Sequence, residues 1–200
     1  MRSPRGVAEL RDRLFVVVLP EHGRAGYEYV GMDHFAKSSD SLIQAQKDGR
    51  LHRNFQGYTT HGHCELMGIG VSSIGNIGRV YVQNSKTLHE YYQSIDAGEL
   101  AIVRGFISDD RDVLIGRIIQ DLMCKFEIDT AAFEERTGSV FHDYFRDLWP
   151  RLMQFENDGL LDLEADQIKV TDQGRFLIRN ICMTFDDYLS QDTQKFSKTI

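Results

Sequence analysis

A glycine-punctuated segment between residues 52 and 75 constrains the fold of this chain most. It begins with the aromatic and amide strip His-Arg-Asn-Phe-Gln-Gly-Tyr-Thr-Thr at residues 52–60 and continues with Glu-Leu-Met-Gly-Ile-Gly-Val-Ser-Ser-Ile-Gly at residues 65–75. Strand-forming residues alternate there with Gly68, Gly70 and Gly75, which favours a buried strand. Glycine lets the backbone approach a ligand closely because it has no Cβ. The segment therefore predicts one wall of a ligand site.

Length and charge limit the classes of protein to which this chain can belong. Two hundred residues suffice for one domain, or two small ones, with a sizeable core. The chain carries 23 basic and 30 acidic residues, which gives a net charge of −7. Nucleic acid and anionic membrane surfaces both attract a basic footprint. The composition therefore predicts no nucleic-acid partner and no membrane partner.

The apolar and cysteine patterns favour a cytoplasmic protein. The apolar run Leu14–Leu19 is far shorter than the roughly 18 residues that cross a membrane, and no small-residue cleavage site follows it. Cys64, Cys124 and Cys182 are odd in number and far apart in sequence. That usage fits a reducing compartment, because disulfide frameworks need paired cysteines.

The first 83 residues show a repeating strand and helix pattern. Ala8–Leu19 is compatible with a helix or with a helix that ends in a short strand. Ser38, Ser39 and Asp40 are good helix N-caps, and Gly49 is a good stop. The pattern predicts strands over residues 27–35, 51–57 and 66–73 and a helix over residues 40–48. Such a βαβ rhythm is typical of a parallel α/β barrel or sheet.

Residues 84–200 change in character and read as a mainly helical domain with a small β ribbon. Ser108-Asp-Asp-Arg is a strong helix entry, because acidic residues in the first turn complement the helix dipole. Apolar residues follow at helical spacing. The predicted helices cover residues 85–97, residues from 108 onward, residues 141–155 and residues 172–188, and the ribbon covers residues 160–170 with a turn near Ala165 and Asp166.

Three long motifs occur in this chain: Tyr-Glu-Tyr-Val-Gly-Met-Asp-His-Phe-Ala at residues 27–36, the segment 52–75, and Gly-Arg-Phe-Leu-Ile-Arg-Asn-Ile-Cys-Met-Thr-Phe-Asp at residues 174–186. Their wording and order resemble the oxygen-independent coproporphyrinogen III oxidases, the radical S-adenosylmethionine (SAM) enzymes of haem synthesis. The resemblance runs from about Gly26 to Ile200. The family begins with a barrel half that carries a Cys-x-x-x-Cys-x-x-Cys motif, and no such spacing occurs here.

The resemblance implies a fold and an activity for the parent enzyme. The fold is α/β plus α+β: the last strands of a radical SAM partial barrel in residues 1–83, then a winged-helix-like C-terminal domain in residues 84–200. The parent would decarboxylate two propionates of coproporphyrinogen III oxidatively to give protoporphyrinogen IX, with SAM and a [4Fe–4S] cluster. The cluster is not expected in this chain, whose partner would be the missing N-terminal barrel half. The chain alone is predicted to be inactive.

Phe55, Gln56 and Ile74 are the predicted cofactor-binding residues. From periodicity alone, an aromatic, an amide and an aliphatic residue at these places simply fill strand positions. In the family, the matching residues lie beside the bound SAM. An apolar wall is useful there, because the radical formed from SAM attacks almost any nearby C–H bond and must be shielded.

The winged-helix likeness of the second part leaves a nucleic-acid or protein interaction module open as an alternative. The related radical SAM haem chaperones, which share the barrel, are a second alternative within the family. Asp158, Asp162, Glu164 and Asp166 outnumber Lys169 on the ribbon, which disfavours DNA. The module is instead expected to cap the barrel. Arg175 and Arg179, on one face of the predicted last helix, could reach substrate carboxylates; a solvated face is the competing interpretation.

Three further groups of residues suggest chemical roles for which the sequence gives only weak support. His61 and His63 could chelate a metal if both lay on one strand face, although short histidine pairs are more often loop residues, and no metal site is predicted. Gly68-x-Gly70 lacks the third glycine and the helix of a dinucleotide-binding motif. Asp33 and His34 fit either an acid–base pair or a structural hydrogen bond at a barrel rim.

Overall fold

The structure, a computed structural model, describes residue 23 and residues 25–189. Its strands are β1 (Tyr27–Gly31), β2 (His34–Lys37), β3 (His52–Asn54), β4 (Gly57–Thr59), β5 (Ile74–Ile77), β6 (Val80–Asn84), β7 (Ile102–Ile107), β8 (Glu127–Asp129), β9 (Leu161–Leu163) and β10 (Gln167–Val170). Its helices are α1 (Ser41–Lys47), α2 (Leu88–Asp96), α3 (Asp110–Lys125), α4 (Thr130–Thr137), α5 (Phe141–Tyr144), α6 (Trp149–Asn157), α7 (Asp172–Phe176) and α8 (Ile178–Met183). The interpretation of Ala8–Leu19 falls outside the described residues.

The strands form four small sheets, with the orders β1–β2, β3–β4, β5–β6–β7 and β8–β10–β9. The expected mixture of helix and sheet is confirmed. Parallel pairing, which the βαβ rhythm predicted, is not seen between the strands described, where every pair is antiparallel. None of the described helices has the length and apolarity needed to cross a membrane.

The predicted strand over residues 27–35 is in fact a hairpin. Gly31, Met32 and Asp33 all have positive φ, of 140°, 46° and 68°. A run of left-handed residues reverses the chain and cannot continue a strand. The arms of the hairpin are β1 and β2, and they pair from Tyr27 with Lys37 to Gly31 with His34.

The other two predicted strands of the first part are also displaced by turns. Residues 51–57 form β3, a turn at Phe55 and Gln56, and the start of β4. Residues 66–73 are largely irregular, since Gly70 and Ser72 have φ of 98° and 55°. The strand begins only at Ile74.

Two helix starts predicted from capping residues are confirmed. Asp40 caps α1 by accepting a hydrogen bond from the Leu42 N–H. Asp109 and Asp112 form a reciprocal capping box at the start of α3, so two otherwise unpaired N–H groups are satisfied. Helix α3 ends at Phe126, whose φ of 62° turns the chain directly into β8.

Two long predicted helices are each broken into two. Residues 141–155 form α5 and α6, and Pro150 lies in the first turn of α6, where its missing N–H costs no hydrogen bond. The predicted helix over residues 172–188 is interrupted at Leu177, which separates α7 from α8. The predicted ribbon is confirmed as β9 and β10, which turn through residues 164–166.

Two hydrophobic clusters meet at α3. The larger one lies among the elements from α3 to the end of α8, and α3 contributes Ile118 and Leu122 to it. The smaller one joins β1 and α1 to the last turn of α3 through Val30, Ile43 and Cys124. Helix α3 therefore connects the two parts of the chain that the sequence distinguished.

Candidate functional site

The structure places Ile74 and Phe55 on one side of the β5–β6–β7 sheet. Ile74 is half-buried at the start of β5, opposite Gln83. Tyr81 pairs with Asn76, two residues after Ile74, and side chains at directly paired and alternate positions share a face. The Phe55 ring meets the Tyr81 ring edge-on, with 5.9 Å between centroids. Tyr81 thus contacts Phe55 and lies on the same sheet face as Ile74.

Gln56 follows Phe55 in the exposed turn between β3 and β4. The Gln56 N–H donates to the Asn54 Oδ1 at 2.8 Å, which fixes the turn. The Phe55 side chain is 59% exposed. The conformation of this turn is therefore fixed while its Phe55 side chain remains exposed. Such a turn is suited to contact with a ligand or with another part of a protein.

Gly68 and Gly75 in the central segment meet backbone, whereas a Cβ on Gly70 would meet nothing within 4 Å. A Cβ on Gly68 would lie 2.8 Å from the Ile74 carbonyl carbon, and a Cβ on Gly75 would lie 3.0 Å from the Leu66 oxygen. Leu66 and Asn76 exchange both backbone hydrogen bonds. The glycines were predicted to let the backbone approach a ligand closely. At these two glycines the close approach is instead between two backbone segments of the same chain, around Ile74.

The β3–β4 hairpin is anchored to α3 by a network that the sequence did not reveal. The Tyr58 hydroxyl donates to the Met123 carbonyl at 3.0 Å, and the Arg53 guanidinium lies 4.9 Å from the centre of the Tyr58 ring. Burial raises the pKa of Tyr58, so the phenol stays protonated. Gln120 hydrogen-bonds both backbone groups of Arg53. The anchor fixes the position of the Phe55 turn.

Gly31 makes this anchor possible. A Cβ at residue 31 would lie 2.3 Å from the Tyr58 hydroxyl oxygen, where no atom can be accommodated. The glycine in the first motif is thus explained by a contact with a tyrosine in the second. The need for glycine at residue 31 follows from a contact between the two motifs. Neither motif alone could have predicted it.

A shallow cleft of about 480 Å³ lies beside the anchor, between α3 and the β3 strand. Burial lowers the pKa of His52, which favours the neutral imidazole. Sequence reasoning did not single out this cleft. Its lining is mostly polar and comprises Gly49, Arg50, Leu51, His52, Thr60, Gly62, His63, Gln120, Asp121, Cys124 and Lys125.

Arg175 and Arg179 do not share one continuous helix, contrary to the prediction, because the break at Leu177 lies between them. The Arg175 guanidinium stacks 4.8 Å from the centre of the Phe126 ring and lies 3.7 Å from the Asp172 carboxylate. Its Nε is buried and lacks a hydrogen-bond partner in the described part of the chain. Arg179 is exposed on α8.

Asp33 and His34 belong to the β1–β2 turn rather than to the end of a parallel strand. The His34 Nδ1 lies 2.8 Å from the Met32 carbonyl oxygen. Its ring is edge-on to Tyr58, with 5.3 Å between centroids. These contacts favour the structural interpretation over an acid–base pair.

The cysteines and histidines are dispersed. Cys64 is exposed, whereas Cys124 and Cys182 are buried in different hydrophobic clusters. Burial raises the pKa of each of these two thiols to about 12. His61 and His63 are exposed, with 6.3 Å between ring centroids. No three His, Cys, Asp or Glu side chains within the described ranges are grouped so as to hold a metal ion.

Comparison with known proteins identifies relatives for nearly all of this chain. Residues 109–177 match the family described as HemN C-terminal domain. The oxygen-independent coproporphyrinogen III oxidase of Pseudomonas aeruginosa is 51% identical over 177 residues, which are 88% of this chain and 38% of that protein. The enzyme of the same name from Escherichia coli is 46% identical over 179 residues, which are 88% of this chain and 39% of that protein.

A solved structure shares the fold. It is described as "Coproporphyrinogen III oxidase (HemN) from Escherichia coli is a Radical SAM enzyme", and it matches with a TM-score of 0.83 at 42% identity. The match covers 94% of this chain and 42% of that one. The fold is therefore one found in a radical SAM enzyme.

The chain is similar to the oxygen-independent coproporphyrinogen III oxidases, and residues 109–177 match the HemN C-terminal domain family. The family resemblance predicted from the three motifs is confirmed. The chain spans about two-fifths of the length of the relatives that it matches.

Proposed function

We propose that this chain forms the C-terminal part of an oxygen-independent coproporphyrinogen III oxidase. That enzyme would convert coproporphyrinogen III to protoporphyrinogen IX by SAM-dependent oxidative decarboxylation of two propionates, a step of porphyrin and haem synthesis. The observation that carries the proposal is the structural match, with a TM-score of 0.83 at 42% identity over 94% of this chain. A cytoplasmic location is proposed with it.

We propose a different structural role for each of the two parts of the chain. Residues 1–83 would complete a partial radical SAM barrel, and residues 84–200 would form a winged-helix-like cap. The cap is supported by the β8–β10–β9 sheet, which packs with α3, α4 and α7 around the larger hydrophobic cluster. The barrel part is supported by the structural match, because its own strands β1–β6 pair only as small antiparallel units. The β5–β6–β7 sheet joins it to the second part, since β7 lies at residues 102–107.

Phe55, Gln56 and Ile74 are the proposed wall of the SAM site. When bound, SAM supplies a radical that takes a hydrogen atom from a propionate side chain. Ile74 offers a half-buried aliphatic surface suited to an adenine ring, and the Phe55 turn borders it through Tyr81. An apolar wall excludes water from the reacting groups, and the Gln56 amide can orient polar ligand atoms. The residue types present therefore fit SAM.

The [4Fe–4S] cluster does not fit the described part of this chain. The two buried thiols of this chain, those of Cys124 and Cys182, lie in separate hydrophobic clusters, and neither is close in sequence to Cys64. Deprotonation is unfavourable for both, since burial disfavours the thiolate that a cluster needs. The cluster would belong to the part of the parent enzyme that this chain does not span.

Arg175 and Arg179 are proposed to approach the propionate carboxylates of the substrate. Arg179 is exposed, and the Arg175 side chain is 40% exposed with an unsatisfied Nε. Arginine suits this role because its planar fork can bind a carboxylate in bidentate fashion. Substrate binding would compete with the stacking of Arg175 on Phe126 and with its contact to Asp172.

No DNA-binding role is proposed for the cap. Lys169 lies among four acidic residues on the β9–β10 ribbon, and its ammonium pairs with the Glu164 carboxylate at 3.2 Å. A wing that meets phosphates needs available positive charge. The structure therefore offers no specific feature that favours the nucleic-acid alternative.

The proposal predicts that this polypeptide alone cleaves no SAM. The expected result after anaerobic reconstitution with iron and sulfide is a protein without a stable [4Fe–4S] spectrum and without 5′-deoxyadenosine formation. The full-length Pseudomonas aeruginosa relative is the positive control in the same assay. A stable cluster spectrum together with SAM cleavage by the chain alone would contradict the proposal.

A further inference from the structure

The segment between Leu51 and Ala101 contains no buried hydrophobic residue, although the structure describes all of it. It nevertheless holds four strands and a helix. By contrast, residues 101–185 provide most of the buried hydrophobic side chains. A sheet needs a packed face to offset the entropy of ordering its backbone, and the described residues bury few side chains on the β5–β6–β7 sheet.

One face of the β5–β6–β7 sheet is largely apolar. Val80 pairs with Ile77 on one side and with Ile107 on the other, so these three side chains share a face. Val82, Gly75 and Gly105 occupy the alternate positions on that face, and Val103 follows on β7 at a register shift. Asn84, at the end of β6, is the polar residue of this face. We call this surface the apolar sheet face.

The side chains of this face are open to solvent. The exposed fraction is 45% for Ile77, 38% for Val80, 63% for Val103 and 74% for Ile107. Contiguous apolar surface of this kind marks an interaction site in a soluble protein. Edge strand β7 is exposed at every position, which adds unpaired backbone groups to the same surface.

The opposite face of the sheet already has partners within the chain. Phe106 is edge-on to Tyr188, with 5.6 Å between ring centroids, and Tyr81 meets Phe55. The proposed SAM wall at Ile74 also lies on that side. The two faces therefore differ: among the described residues, one face has aromatic partners and the other is largely exposed.

We infer that the apolar sheet face is the docking surface for the part of the coproporphyrinogen III oxidase that this chain does not span. The chain accounts for only 38–42% of the relatives' length, so a partner of about one and a half times its size must pack somewhere on it. Within residues 101–185 most of the large apolar side chains are buried. Helix α2 also exposes Leu88, Tyr92 and Ile95, and the sheet face differs from it in adding the unpaired backbone groups of edge strand β7. This inference rests on the proposed function for the identity of the partner.

The test uses this chain and the unmatched part of the Pseudomonas aeruginosa relative, produced as a separate polypeptide. Sedimentation measures the Kd of the complex. Val103→Lys places a charge on edge strand β7 beside the apolar sheet face, and Val140→Lys makes the same change at a residue that is 52% exposed before α5. We expect Val103→Lys to weaken binding at least tenfold, while Val140→Lys leaves the Kd unchanged and both variants keep the wild-type helical content.

Three results would overturn the inference. Equal binding by wild type and Val103→Lys would place the docking surface elsewhere. A dimer of this chain alone that Val103→Lys abolishes, without binding of the relative's polypeptide, would assign the face to a second copy. Slow hydrogen exchange across β7 in the monomeric chain alone would show that the chain covers the face itself. Complex formation without SAM cleavage would weaken only the proposed function, since binding is measured independently of activity.

Discussion

Gly174→Ala is expected to destabilise the protein by about 3 kcal/mol, because overpacking against fixed backbone lies at the upper end of its usual cost. A Cβ at residue 174 would lie 2.0 Å from the Leu160 carbonyl oxygen and 2.9 Å from the Val170 Cγ1. That carbonyl cannot move away freely, since it accepts the Thr171 N–H at 3.1 Å. The third sequence motif begins with this glycine, and its role is to let α7 pack closely on the chain before β9.

Gly116→Ala is the matched control for this change. Gly116 lies within α3, and a Cβ there would meet nothing within 4 Å. Alanine is favoured over glycine in a helix interior by roughly 0.5–1 kcal/mol, so this variant should gain stability. Urea unfolding of both variants measures the difference. A Gly174→Ala midpoint equal to that of wild type would show that the Leu160 carbonyl is not fixed.

Ile74→Ala, made in an enzyme that contains this chain, is expected to reduce SAM cleavage at least tenfold. Loss of an apolar contact of roughly 2 kcal/mol corresponds to about 30-fold in binding. The cost to folding should be smaller than for a core residue, because Ile74 is only half-buried. The cluster spectrum should be unchanged, since none of the described cysteines lies in β5.

Ile119→Ala is the control that distinguishes a role of Ile74 in SAM binding from a general loss of packing. Ile119 is also half-buried, but it packs against the larger hydrophobic cluster on α3. We expect it to lower the melting temperature at least as much as Ile74→Ala does, with normal SAM cleavage per folded molecule. Melting temperature and single-turnover SAM cleavage are measured together. A strongly destabilised Ile74→Ala enzyme that cleaves SAM at the wild-type rate would remove Ile74 from the site.

Helix starts were predictable from the sequence because their cause is local. The Asp40 and Asp109 caps each satisfy N–H groups two or three residues further along the chain. The helix breaks were harder to predict. Leu177 carries no breaker signal, and its φ of −105° is imposed where α7 and α8 pack against the larger cluster.

Strand pairing was misread because alternating strands and helices suggest parallel sheets. The left-handed conformations at Met32 and Asp33 decide the matter. Aspartate is enriched at positive φ, but methionine is not, so the pair gives only a weak signal in the sequence. Once those residues reverse the chain, an antiparallel hairpin is the only possible pairing for β1 and β2. The same holds for Ser72, whose φ of 55° delays the strand until Ile74.

The candidate site was predictable only in part. The resemblance supplied Phe55, Gln56 and Ile74, and the structure adds the link through Tyr81 between the first and the last of them. The anchor formed by Tyr58 and Gly31 depends on a contact across 27 residues of sequence, which no local pattern encodes.

The most direct test of the account is the activity of a chimera. In it, residues 26–200 of this chain replace the matching region of the Pseudomonas aeruginosa relative, which shares 51% identity. The chimera is reconstituted with its cluster under anaerobic conditions and supplied with SAM and coproporphyrinogen III. We predict 5′-deoxyadenosine and protoporphyrinogen IX at rates within about tenfold of the parent, since a loss of up to about 1.4 kcal/mol is tenfold. A folded chimera with a normal cluster spectrum that forms neither product would contradict the account.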